Sequence, residues 1–275
     1  MNMRKSIIAT LLVIGFFTIS CTTPKIRLFP SQADPLQEFT LEGEVQQKIL
    51  VIPVRGIISN ATREGFIRTR PSMVQEVVSQ LRLAEKDENI KAVIFKIDSP
   101  GGSVTASDIL YNEITSFKER TGAKVVVAMM GLTASGGYYI SLPADYILAH
   151  PTTITGSIGV IFTRPRVTIL MQKVGIDVNV NKSGKNKDIG SPFRAATPEE
   201  EKIFQSLTDR LAVRFVDLVV RHRKLQPEII AEISSARVYL ANEALELGLV
   251  DEIGYLDKAV RQAKKLAGLS EDAKV

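Results

Sequence analysis

Ser135 stands where the apolar run "AKVVVAMMG" gives way to paired glycines, in "LTASGGYYIS". A turn of small residues leading from a buried strand into a helix is where α/β enzymes expose a nucleophile. A serine hydroxyl attacks only when a neighbouring base takes its proton. The chain has two histidines, His150 and His222. His150, in "AHPTT", closes a strand with no carboxylate beside it in sequence to orient a ring, and reads as part of a wall. His222, in "RHRK", sits at the basic end of a helix and reads as solvated. Lysine is left. Lys182, Lys185 and Lys187 crowd a Ser-Gly turn in "NKSGKNKDIGSPFR". On composition alone, such a loop is also what a solvated basic surface looks like.

A second glycine pair, Gly101 and Gly102 in "DSPGGS", lets backbone approach another group closely. Its N–H groups could face a developing oxyanion, a large contribution to acyl-transfer catalysis. The plainer alternative is a strand-to-helix turn capped by Ser99 or Ser103. In a parallel sheet, the C-terminal ends of neighbouring strands share one edge, so both glycine turns face the same crevice. A nucleophile and an N–H donor converging there meet two requirements of an active site, and a base is the third.

The elements that position these residues alternate. "KILVIPVRGII", "IKAVIFKIDSPGG" and "AKVVVAMMG" read as strands. "PSMVQEVVSQLRLAEKD" and "SDILYNEITSFKER" read as the helices between them, giving βαβ units around a parallel sheet. "DYILAH", "SIGVIF" and "DVNVNKS" read as further strands. Thr197-Pro198-Glu199-Glu200 starts a helix, with a threonine cap, proline in the first turn and Glu200 closing a capping box. Ile203, Leu207, Leu211, Phe215 and Leu218 share one face of it, and two or three shorter helices follow. Phe204, Val213, Val216 and Val220 lie beyond that stripe and ask for a partner surface.

The 275 residues are 45% hydrophobic and 24% charged, as in a globular chain with a sizeable core. The net charge of +5 is spread out, and no basic block interleaves with aromatics, so no nucleic-acid surface is expected. The single cysteine, Cys21, excludes an internal disulfide framework and any multi-cysteine metal site. Residues 1–21 have the layout of a secretory signal: basic "MNMRK", then apolar "SIIATLLVIGFFTIS", then Cys21. "TISC" resembles a lipobox, in which the cysteine is lipidated, although Thr18 departs from the usual leucine. An uncleaved anchor is the alternative. Either places the body outside the cytoplasm, next to membrane lipid. Residues 22–46 carry three prolines and read as a tether, and 47–275 as one body with a helical C-terminal region.

Taken in order, "IDSPGGS", "TASGGYY", "TITGSIGV" and "SGKNKDIGSPFR" resemble the signal peptide peptidases of the protease IV type, over about residues 48–260. The resemblance implies an α/β fold of the Clp-protease/crotonase-like kind, with repeated β-β-α units and a helical C-terminal region. It implies Ser135 as nucleophile, Lys187 as general base, Gly102 as oxyanion donor and Ser157 as the residue orienting the lysine. Lys182 and Lys185 fall at surface positions. No metal and no cofactor are implied. The implied substrates are signal peptide remnants and similar apolar unfolded peptides, with "MMG" and "GLTA" as candidates to line their pockets. Fold relatives close into rings, so a homo-oligomeric ring is expected, the lysine completing its own chain's site or a neighbour's. A free lysine, with a pKa of about 10.4, is charged at neutral pH, whereas a base works best near 7 to 8; an apolar crevice must make up the difference. Two other readings are a crotonase-like acyl-CoA enzyme, against which the secretion signal argues, and a non-enzymatic lipoprotein scaffold.

Overall fold

β-Branched residues dominate the runs that become central strands of the computed structural model, which describes residues 36–64 and 69–275. The leader 1–21, with Cys21, and the tether as far as residue 35 lie outside the described residues. In chain order the strands are β1 (Val45–Arg55), β2 (Arg63–Glu64), β3 (Thr69–Arg70), β4 (Ile90–Ser99), β5 (Lys124–Ala134), β6 (Tyr146–Ala149), β7 (Ile154–Gly156), β8 (Val238–Leu240), β9 (Glu252–Ile253) and β10 (Ala273–Lys274). The main sheet runs β10-β1-β4-β5-β6-β9, every neighbour parallel. β7 extends it beside the C-terminal end of β5 and pairs antiparallel with β8. β2 and β3 form a separate antiparallel pair.

Val93, Ile94 and Phe95 in β4 and Val125, Val126 and Val127 in β5 are buried whichever face they point to. A parallel sheet covered on both sides needs such unbroken apolar runs. One face packs on α1 (Met73–Ala84) and α2 (Val104–Thr121), through Val77, Leu81, Leu110 and Phe117. The short α3 (Gly136–Tyr139) follows β5, and α4 (Thr168–Val174) lies in the long segment after β7. Four further helices are α5 (Pro198–Arg223), α6 (Pro227–Ile233), α7 (Ala241–Glu246) and α8 (Leu256–Ala267). α8 covers the other face, setting Ala259, Val260 and Ala263 against Ile49, Ile94 and Val126.

Four expectations need correction. "SIGVIF" and "DVNVNKS" are not strands; β7 is the preceding "ITG". Ile161 is 87% and Val180 51% exposed, so the alternating pattern has no partner strand against which to bury a face. The tether is shorter than 22–46: Leu41 donates to the Val275 carbonyl, Val275 donates to that of Glu42, and Val45 pairs with Ala273. On α5 the capping box forms as read, but Leu207 and Leu211 are exposed, and the buried apolar residues are Phe215, Leu218 and Val219.

Candidate active site

β5 delivers Ser135 to the sheet edge, and the chain turns there into α3. Ser135 has φ 51 and ψ −120, a conformation that side chains other than glycine occupy only under constraint. Two hydrogen bonds hold it: its N–H donates to the Gly156 carbonyl at 2.8 Å, and its carbonyl accepts from Tyr139 at 2.9 Å. Ser135 is partly exposed at the ends of β5 and β7.

The neighbouring strand β4 ends in the second glycine turn. Gly101 has φ +99, and a Cβ there would lie 2.5 Å from the Gly136 nitrogen and 3.0 Å from Ser135 Cβ. A Cβ on Gly102 would be driven into the Ile58 carbonyl oxygen. Both glycines are required by backbone packed on backbone. Ile58 N–H donates to Gly101 O (2.9 Å) and Ser103 N–H to Ile58 O (3.0 Å), so in this parallel bridge Gly102 turns its own N–H away from Ile58. Neither the Gly102 nor the Gly136 N–H has a hydrogen-bond partner among the described residues. Both glycines, with Ser135, Ser107, Tyr139 and Phe215, line a cavity of about 30 Å³. Two free donors beside a raised hydroxyl can stabilise the oxyanion of acyl transfer. The sequence did not single out the Gly136 donor, although it directly follows Ser135, and the residue after a nucleophile is where such a donor belongs.

Ser157, also at φ 51, directly follows the Gly156 that accepts from Ser135, and its N–H donates to the Arg237 carbonyl at 2.8 Å. Its side chain is half-buried, and it does not line the cavity. Lys187 does not line the cavity either. It is exposed on the loop before α5, and its ammonium makes no hydrogen bond or ion pair among the described residues. Ser135, Gly102 and Gly136 are thus brought to one cavity, which neither Ser157 nor Lys187 lines, and no hydrogen bond joins Lys187 to Ser135 among the described residues.

The loop carrying Lys187 is anchored on both sides of it. Lys182 pairs with Asp188 at 2.7 Å, and Arg194 bridges Asp188 (2.7 Å) and Glu200 (2.5 Å). Lys185 pairs with Glu199. The Arg194 guanidinium, then the Lys182 ammonium, hold the Asp188 carboxyl well below the usual carboxylate range. Arg194, then the Thr197 N–H, lower Glu200 to about 2.

The histidines are elsewhere. His150 contacts Thr152 Oγ1 at 2.9 Å and packs edge-on against Tyr255. His222 is not solvated as expected: it is half-buried, and its Nε2 hydrogen-bonds the Tyr111 hydroxyl at 2.8 Å. Burial, then Lys118 and its arginine neighbours, push its pKa down. "MMG" and "GLTA" do not line the cavity; Met129 is fully buried in the core, and the apolar wall is Val104, Tyr139, Val160, Leu211 and Phe215. Among the described residues no His/Cys/Asp/Glu group is arranged to hold a metal, and no helix is long and apolar enough to cross a membrane.

Several known proteins resemble this chain. The profile of Peptidase family S49 matches residues 118–270, and that of Clp protease residues 68–155. A provisionally named protease of Methanocaldococcus jannaschii is 40% identical over 207 residues, 75% of this chain and 66% of that relative. A provisionally named signal peptide peptidase, SppA, of Enterococcus faecium is 32% identical over 245 residues, 89% of this chain and 71% of the relative. Protease 4 of Salmonella typhi is 38% identical over 193 residues, 70% of this chain but 31% of its own length. Among solved structures, a ClpP1 chain of Listeria monocytogenes matches 76% of this chain and 94% of its own at 19% identity, with a TM-score of 0.49.

Proposed function

The chain belongs to peptidase family S49 and is a serine peptidase with a Clp-protease-like fold, and from that premise we propose that Ser135 and Lys187 form a Ser–Lys dyad. The observation that carries this reading is Ser135 at its constrained turn, beside the unpaired N–H groups of Gly102 and Gly136. Lys187 takes the proton as Ser135 Oγ adds to the scissile carbonyl, and returns it to the leaving amine; Ser157 orients the ammonium. The negative oxygen formed meanwhile is held by the two glycine N–H groups.

Lys187 completes the site of a neighbouring copy. Supporting this, the segment that carries it leaves Ile161, Phe162, Ile169 and Leu170 each at least 60% exposed, and α4 buries no residue. An apolar band of this kind marks a surface that another chain covers. The assembly is a closed homo-oligomeric ring, which shields the dyad from water. The substrates are signal peptide remnants and similar apolar, unfolded peptides, met beside a bacterial membrane to which the N-terminal segment fastens the body outside the cytoplasm, by a lipidated Cys21 or an uncleaved anchor. The apolar wall of Val104, Val160, Leu211 and Phe215 suits such peptides.

The decisive experiment is cleavage of a fluorogenic apolar peptide by wild type, Ser135→Ala and Lys187→Ala, each checked for folding. Cleavage that survives Ser135→Ala would remove the nucleophile assignment.

A further inference from the structure

Ser107 lies in the first turn of α2, 2% exposed, and its Oγ is a buried side-chain polar atom with no hydrogen-bond partner among the described residues. Leaving a buried hydroxyl unpaired is unfavourable, and a serine inside a helix ordinarily avoids it by bonding the carbonyl four residues back. Thr115 and Thr121 on this same helix do so, to Tyr111 and Phe117, both at 2.8 Å. For Ser107 that carbonyl, Ser103 O, is in place and accepts its N–H at 3.0 Å, yet the hydroxyl points elsewhere.

It lies against Gly136, beside the oxyanion donors. A Cβ on Gly136 would be driven into Ser107 Oγ and would lie 3.1 Å from the Gly102 nitrogen. The hydroxyl and the Gly102 nitrogen therefore lie on the same side of Gly136, and all three residues line the cavity with Ser135. A volume of about 30 Å³ has room for one water-sized group.

We infer that the Ser107 hydroxyl is a third donor of the oxyanion hole, an assignment that rests on the peptidase reading above. As the bond from Ser135 Oγ to the carbonyl carbon forms, the C=O π pair moves onto oxygen and the Ser135 proton passes to the base. The oxygen then accepts from the Gly102 N–H, the Gly136 N–H and the Ser107 O–H. When the carbonyl re-forms, the C–N bond breaks and the base gives its proton to the leaving amine. Ser107 donates a hydrogen bond throughout and transfers no proton.

The test is Ser107→Ala in the full-length protein. Three quantities are measured: kcat and KM on a fluorogenic apolar peptide, affinity for the aldehyde of that peptide, and the melting temperature. The aldehyde adds Ser135 as a hemiacetal whose oxygen occupies the same hole. Alanine removes an unpaired hydroxyl and suits a helix, so the variant should melt no lower than wild type. The inference expects kcat to fall tenfold or more, KM to stay within twofold, and aldehyde affinity to drop by the factor lost in kcat. A smaller loss in kcat, unchanged aldehyde affinity, or a lowered melting temperature would overturn it, since a packing role predicts these. If the wild type shows no Ser135-dependent cleavage, the peptidase reading falls and this inference with it; an active wild type with an indifferent Ser107→Ala overturns this inference alone.

Discussion

Gly102→Ala separates catalytic loss from structural damage by size. The new Cβ would meet the Ile58 carbonyl oxygen and sit 2.6 Å from its carbon and 2.7 Å from the Ile58 nitrogen. Ordinary carbon contacts are about 3.5–4 Å, so one backbone must move by roughly 1–1.5 Å. That movement stretches the two hydrogen bonds joining Ile58 to Gly101 and Ser103, now 2.9 and 3.0 Å. Each contributes about 1 kcal/mol, so folding should lose roughly 1–3 kcal/mol, and the melting temperature should fall by about 2–4 °C for each. The same movement displaces the Gly102 N–H from the oxyanion. Losing one such donor costs about 2.7–4 kcal/mol of transition-state stabilisation, a factor of about 10²–10³ in kcat. Activity at 25 °C should therefore collapse while the protein is still folded. Gly131→Ala is the control, because its nearest neighbour, Asp98 Oδ1, lies at an ordinary 3.6 Å, and it should keep kcat and melt no lower than wild type. The assay pairs kcat on the fluorogenic peptide with a thermal melt. A Gly102→Ala protein that melts lower but keeps kcat within tenfold of wild type would refute the donor assignment.

Ser135→Ala and Lys187→Ala should each abolish cleavage, with the double variant no worse, and His150→Ala should stay active. Mixing the two inactive single variants should restore part of the activity, and a mixture that stays dead would place both residues in one chain. Glu200 is lowered from 4.5 to about 2 in the folded state. A depressed carboxyl stabilises above its unfolded value and loses that contribution as pH falls through its folded value. The melting difference between wild type and Glu200→Gln should be constant from pH 7 to about 5 and disappear between about 4.5 and 2. A difference that persists at pH 2 would contradict the Arg194–Glu200 pairing.

Local patterns carried most of the fold. The β-branched runs of β4 and β5 and the Thr197–Glu200 box formed where periodicity and capping put them, because their determinants lie within a few residues. The parallel-sheet rule likewise brought the two glycine turns to one edge. What escaped depends on partners far along the chain. His222 looks solvated among its basic neighbours until Tyr111 arrives from α2. "SIGVIF" and "DVNVNKS" alternate like strands, but no edge is offered to them. Lys187 matches a family motif, yet its place relative to Ser135 is set by a segment whose apolar side chains this chain does not cover. The lone hydroxyl of Ser107 is a rotamer choice, invisible to any residue pattern.

The positive φ at Ser135 sets stability against chemistry. Glycine occupies such a conformation freely, whereas other residues hold it at a cost of about 1–3 kcal/mol. Against this, glycine loses about 0.5–1 kcal/mol more to chain entropy on folding. Ser135→Gly should therefore leave the fold as stable as before or more so, while removing the hydroxyl proposed as nucleophile. A library screened only for thermal survival would drift towards glycine at this position and shed activity without warning. A lineage relieved of its substrate would find the same downhill step open, so the serine persists only where selection on turnover holds it there.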